Sequence, residues 1–143
     1  MAGTTITPYL DFSGRCDEAL EFYSKALGAE VKTVMRYDEC PMPIPPGRLA
    51  PGFEKKIMHA SFSVGGELLM ASDGCDASSK FDGIRLALTV PTEADARRAF
   101  DALADGGHID MPISSTFWSP CFGMVTDRFG VGWMVSIPQA PAN

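Results

Sequence analysis

Glu18-Ala-Leu-Glu-Phe-Tyr-Ser-Lys-Ala-Leu-Gly28 and Glu93-Ala-Asp-Ala-Arg-Arg-Ala-Phe-Asp-Ala-Leu-Ala-Asp-Gly106 decide the fold when one is laid over the other. Ala19, Phe22, Tyr23, Ala26 and Leu27 fall at i, i+3, i+4, i+7 and i+8, the stripe of one helix face. Ala96, Ala99, Phe100, Leu103 and Ala104 repeat that spacing at a constant offset of 77 residues. A helix stripe alone says little. The same order of elements around it, twice, says duplication.

Outward from the first stripe, Ile6 to Phe12 alternates as a strand that Pro8 pushes to a sheet edge or a strand start. Ser13-Gly14-Arg15-Cys16-Asp17 is a turn in which Ser13 or Asp17 is placed to cap a helix from about Cys16 to Leu27. Gly28 stops that helix. Ala29 to Tyr37 reads as a second strand. Pro41, Pro43, Pro45, Pro46 and Pro51 then break regular structure up to about Gly52, giving a mobile loop or lid. Ile57 to Val64 and Glu67 to Ser72 form a hairpin closed by Gly65-Gly66.

Asp73 to Gly83 connects the halves. The second opens with the strand Ile84 to Val90. A helix capped by Thr92 runs to about Asp105. A strand near Ile109 to Ile113 follows, then Cys121 to Thr126 and Val131 to Ile137 around the turn Asp127-Arg128-Phe129-Gly130. Gly66, Leu69 and Met70 match Gly130, Trp133 and Met134 at an offset of 64, so the first half carries the excess in its proline-rich loop. Each half is a βαβββ module, about residues 4–73 and 83–138, and the fold class is α+β. At 143 residues the chain is most simply one domain, spanning 1–143. Two half-modules facing each other would share one cleft.

The bulk numbers exclude more than they assign. A net charge of −6 speaks against nucleic acid or a membrane surface as partner, because both need a basic face. No apolar run approaches a membrane span, and the N-terminus lacks the basic and apolar segments of a signal peptide, so a cytoplasmic location is expected. Cys16, Cys40, Cys75 and Cys121 contain no Cys-x-x-Cys pair and read as reduced, partly buried thiols; a reactive Cys121 is the alternative.

Ile6 to Gly14, Glu18 to Gly28, His59-Ala60, Leu69-Met-Ala-Ser-Asp73 and, above all, Phe122-Gly-Met-Val-Thr-Asp-Arg-Phe-Gly-Val-Gly-Trp-Met134 resemble the PhnB-like branch of the vicinal oxygen chelate superfamily, which includes glyoxalase I, bleomycin-binding proteins, fosfomycin-resistance enzymes and extradiol dioxygenases. The resemblance spans nearly the whole chain. It implies paired βαβββ modules, usually in a homodimer, each curling a sheet around a cavity. Branch members often carry a methyltransferase label, but no glycine-rich nucleotide loop supports one here.

The superfamily's enzymes hold a divalent metal with His and Glu side chains that polarises vicinal oxygens. Counted onto this chain, the first-strand ligand position falls near Pro8 and the module-two position near Arg85 or Leu86. The last-strand position falls on Met134. None of these is a ligand of the required kind, so no metal and no cofactor is expected.

His59 is the best candidate for a catalytic group or ligand contact; the competing reading is a histidine satisfied by a backbone carbonyl. His108, after Gly106-Gly107, reads as solvated. Phe117, Trp118, Phe122, Met124, Trp133 and Met134 read either as core or as the walls of an apolar binding cleft. Tyr9, Ser72, Arg85 and Thr126 could supply its polar groups. Asp127 and Arg128 are expected to set the turn and pair with each other. Asp73 reads as a strand-end cap, and Glu54-Lys55-Lys56 as a solvated charge run.

Three functions fit these residues. The first is a metal-free homodimer that binds a small apolar or aromatic molecule. The second is a metal-dependent lyase, isomerase or dioxygenase with rearranged ligands such as His59 with Glu54 or Glu67. The third is a purely structural dimer or partner of another protein.

Overall fold

The computed structural model describes residues 1–139 and divides into two compact units, Met1–Lys80 and the chain from Phe81 on. In the first unit β1 (Tyr9–Asp11) is followed by α1 (Cys16–Leu27), β2 (Glu30–Arg36), β3 (Ile57–Val64) and β4 (Glu67–Ser72). The second repeats the series with β5 (Arg85–Thr89), α2 (Glu93–Ala104), β6 (His108–Ser114), β7 (Phe122–Thr126) and β8 (Gly132–Ser136). Each unit is thus βαβββ. Each holds one open four-stranded sheet, ordered β1-β4-β3-β2 and β5-β8-β7-β6, whose first and last strands run parallel. No helix among the described residues is long and apolar enough to cross a membrane.

The two helices are each twelve residues long and begin and end at the 77-residue offset. Each buries its predicted stripe against its own sheet. Tyr23 is fully buried and stacks on Phe62 with ring centroids 6.0 Å apart; Phe100 occupies its place on α2. Alternation along the strands then assigns the faces. Leu10, Ala60, Phe62, Leu69 and Ala71 lie under α1. Leu86, Leu88, Val125, Trp133 and Val135 lie under α2, all buried except the half-buried Leu86 and Leu88. Gly123 belongs to this set because a Cβ there would sit 2.8 Å from the Phe100 ring.

The helices start differently. Thr92 Oγ1 accepts the Asp95 amide at 3.1 Å, the predicted N-cap. Neither Ser13 nor Asp17 caps α1: Arg15 occupies the cap position and contributes no side-chain bond. The first amide of α1, on Cys16, instead donates to Oδ1 of Asp73 at 2.7 Å, while the Ile57 amide donates to Oδ2 at 2.7 Å. Asp73 is fully buried and its own amide donates to the Ile57 carbonyl, so this carboxylate fastens helix α1, strand β3 and the end of β4 together. Its negative charge faces the positive end of the helix. Asp17, in the first turn, takes both arms of the Arg36 guanidinium at 2.9 Å, which holds its carboxyl below the usual range and ties α1 to the end of β2.

Gly28 ends α1 as predicted, in the left-handed conformation at φ 67°. The segment between β2 and β3 contains two short 3₁₀ turns, Tyr37–Glu39 and Phe53–Lys55. Its ends are pinned: the Tyr37 hydroxyl donates to the Gly74 carbonyl at 2.6 Å, Phe53 is buried, and Lys56 Nζ donates to the Gly14 carbonyl. Burial and the neighbouring Cys75 push the Tyr37 hydroxyl up to about 12. All four cysteines are free thiols. Cys16 and Cys121 are buried, and burial raises both thiols, which removes the basis for a reactive Cys121.

Asp73→Asn places an amide NH₂ against one of two buried backbone donors. A loss of about 3 kcal/mol in unfolding free energy is expected, read as a lowered urea midpoint at unchanged slope.

Candidate functional site

One helix covers one face of each sheet, and the predicted site residues are best followed on the other. In the first unit this helix-free face carries Tyr9 and Asp11 of β1, Met70 and Ser72 of β4, His59, Ser61 and Ser63 of β3, and Thr33 and Met35 of β2. Three of the predicted residues therefore come together here: Tyr9, His59 and Ser72. The Tyr9 and His59 rings lie 6.1 Å apart, tilted by 37°. Ser61 and Ser72 on this face are buried, with Ser61 Oγ 2.7 Å from Thr33 Oγ1. No hydrogen bond holds either ring nitrogen of His59 among the described residues, so the satisfied-histidine reading loses its carbonyl. The imidazole is half-buried.

The helix-free face of the second unit is different in kind. Phe122, Met124 and Met134 stand side by side through the pairings Met124 with Met134 and Met134 with Ala87, and Met111 joins them from β6. Trp133 is the exception among the predicted wall residues. As the neighbour of Met134 on one strand it points to the other face, where it is buried and its Nε1 donates to Asp127 at 2.9 Å. Phe117 and Trp118 lie on the segment before β7. Trp118 packs edge-on against Phe122 at 5.3 Å and Phe117 against Trp118 at 4.7 Å, and Phe117 is largely exposed. The aromatic series therefore runs from the sheet face outward rather than around a ring.

A row of polar side chains borders the methionines. Arg85 runs from β5 across Gly132, its Nη2 donating to Asp110 Oδ2 at 3.0 Å and its Nη1 lying 3.3 and 3.4 Å from the Trp133 and Val125 carbonyls. Thr126 Oγ1 donates to the same Asp110 oxygen at 2.7 Å, and His108 Nδ1 lies 2.8 Å from Oδ1. These bonds, the Thr126 hydroxyl first, hold the Asp110 carboxyl below its ordinary range. Arg85 and Thr126 were predicted as polar site groups. Asp110 was missed; His108 is exposed as expected and also reaches Asp110. The signal was present: His108 and Asp110, two apart on a strand, share a face, and Gly132 at the start of β8 marks a close approach. A Cβ at Gly132 would stand 3.0 Å from Arg85 Cγ.

Asp127 sets the turn as expected. Asp127 accepts from the Phe129 and Val131 amides and from Trp133, while Arg128 reaches the Asp105 carboxylate at 3.1 Å. Among the described residues the donors required by a superfamily-type metal do not gather at the counted positions. Pro8 has no donor side chain, Leu86 faces the helix, and Met134 offers a thioether where a carboxylate is needed. Among the described residues no three His, Cys, Asp or Glu side chains stand close enough to hold a metal ion. Glu67 sits at the hairpin end of β4, five positions from Ser72 and so about 16 Å along the strand, far from the His59 end of β3.

Comparison with known proteins places these features. The model of the Glyoxalase/Bleomycin resistance protein/Dioxygenase superfamily matches residues 6–135. Protein YjdN of Escherichia coli (strain K12) is 34% identical over 140 residues, covering 92% of this chain and 94% of that protein. The crystal structure of protein PA1353 from Pseudomonas aeruginosa is 40% identical with a TM-score of 0.83, covering 96% of this chain and 100% of that one. A PhnB protein from Bacillus cereus is 31% identical with a TM-score of 0.77, over 94% and 99% of the two chains.

The Arg85 strap and Gly132 are expected to be coupled. Gly132→Ala should destabilise by about 1 kcal/mol in the native sequence and by much less in an Arg85→Ala background, a non-additivity read from urea unfolding of the four proteins.

Proposed function

The chain belongs to the Glyoxalase/Bleomycin resistance protein/Dioxygenase superfamily, and within it we propose that this protein binds a small apolar or aromatic molecule without a metal, on the helix-free faces of its sheets. The observation that carries this reading is the second unit's face, where Met111, Met124, Met134 and Phe122 form an apolar surface bordered by a fixed polar row. Apolar lining with a few placed polar groups is the usual composition of a small-molecule site. Methionines suit such a surface because their sulfurs pack well on aromatic rings. The first unit's face supports the same reading with Tyr9 and His59, two rings with polar atoms left for a ligand. The scattered carboxylates and histidines favour binding over metal-assisted catalysis. The binding form is a homodimer.

Protein purified without chelator is expected to carry no stoichiometric zinc, manganese, iron or nickel by elemental analysis. A stoichiometric metal lost on His59→Ala would overturn the metal-free reading. Met134→Glu, which puts a charge into the apolar surface, should weaken binding of the uncharged probe N-phenyl-1-naphthylamine by more than tenfold in a fluorescence titration, while Met42→Glu, on the exposed proline-rich loop, leaves it unchanged.

A further inference from the structure

The polar row on the second unit does more than border the methionines. The Asp110 carboxylate accepts from Arg85 and Thr126 on one oxygen, and its acidity is strengthened by these bonds. It therefore has no proton to give, so at His108 the donor in the 2.8 Å contact is Nδ1–H. In the neutral imidazole that leaves the lone pair on Nε2. No partner holds Nε2 among the described residues, and the side chain is 74% exposed. A base whose tautomer is fixed by a carboxylate, itself held by two further donors, is an arrangement suited to proton transfer.

Its surroundings set the ligand. His108 pairs with Thr126, and Met124 lies two residues farther along β7 on the same face, about 7 Å away. One aromatic ring spans that interval. Arg85 is engaged with Asp110 and two backbone carbonyls, which leaves this row without a free cation for an anionic group. The vacant function is acceptance of a proton.

We propose that His108, oriented by Asp110, is a proton-accepting site for a phenol or enol whose ring lies on Met124 and Met134. The ligand O–H donates to Nε2. In full transfer the proton moves to Nε2 and the electron pair stays on the ligand oxygen, giving a phenolate beside an imidazolium whose Nδ1–H remains on Asp110. Asp110 is a positioning residue. The proposal rests on the binding role given above to this face.

Titration with 4-nitrophenol and with its O-methyl ether, 4-nitroanisole, separates the two ideas. The native protein is expected to bind the phenol about tenfold more tightly than the ether and to raise the phenolate absorbance of the bound fraction. His108→Gln should bind both equally, without the absorbance change. Equal binding of both by the native protein overturns the proton-accepting site and leaves the apolar face intact; binding of neither overturns both. Long-range ¹H–¹⁵N spectra supply a readout that a merely structural Asp110 would not move. They should show the Nδ1–H tautomer at His108 in the native protein and a tautomer mixture in Asp110→Asn; the same mixture in the native protein overturns the assignment.

Discussion

One twelve-residue helix can cover one face of a four-stranded sheet and no more, and everything notable about this protein follows from that limit. The positions under α1 and α2 are held to close packing: Tyr23 on Phe62, Phe100 on the bare backbone of Gly123. The alternate positions on the same strands are released from that demand. What the sequence places there is chosen on other grounds, and it is there that His59, Tyr9, Arg85, Asp110 and the methionines stand.

The two units solve the same backbone problem with different chemistry. In the first, a buried carboxylate on Asp73 replaces a local cap and draws helix, strand and hairpin end together. The residue at the matching position of the second unit, 64 later, is Ile137, whose amide still donates to the Cys121 carbonyl just as Asp73 donates to Ile57. There the helix is capped locally by Thr92, and Ser119 Oγ donates towards the carbonyls of Cys121 and Ile137. The faces diverge as well. One has small hydroxyls beside two rings, the other thioethers beside an ion pair.

Much of this was legible in the sequence, and the division is physical. Helix limits depend on spacing and stop signals within a few residues, so Cys16 to Leu27 and the Thr92 cap could be read directly. The two hairpins, β3 with β4 and β7 with β8, followed from the turns and the offset between them, whereas the parallel pairings of β1 with β4 and β5 with β8 did not. What escaped depends on groups far apart in the chain. The Cys16 amide meets a carboxylate 57 residues away, a contact with no local periodicity. Irregular pairing between Ile109 and Met111 in the edge strand β6, before Pro112, helps to aim Asp110 at Arg85, 25 residues upstream. Trp133 and Met134 cannot both line one surface, and strict alternation alone would have separated them. The family's ligand positions could be counted from the repeat, and Pro8, Leu86 and Met134 there carry neither carboxylate nor imidazole; the His108–Asp110 spacing could be read as well, but the reach of Arg85 to Asp110 could not.

The methionines carry one more consequence. An unbranched side chain with three turning bonds has no fixed outline, so a surface made of Met111, Met124 and Met134 conforms to what is laid on it instead of selecting by shape. Beside it stands a rigid element, a guanidinium strapped over a bare glycine to a carboxylate with every oxygen engaged. In the binding role proposed above, a soft wall against a hard edge would divide the labour of recognition: breadth of tolerance on one side, discrimination on the other. Any narrowing of what such a surface accepts has to come from the edge.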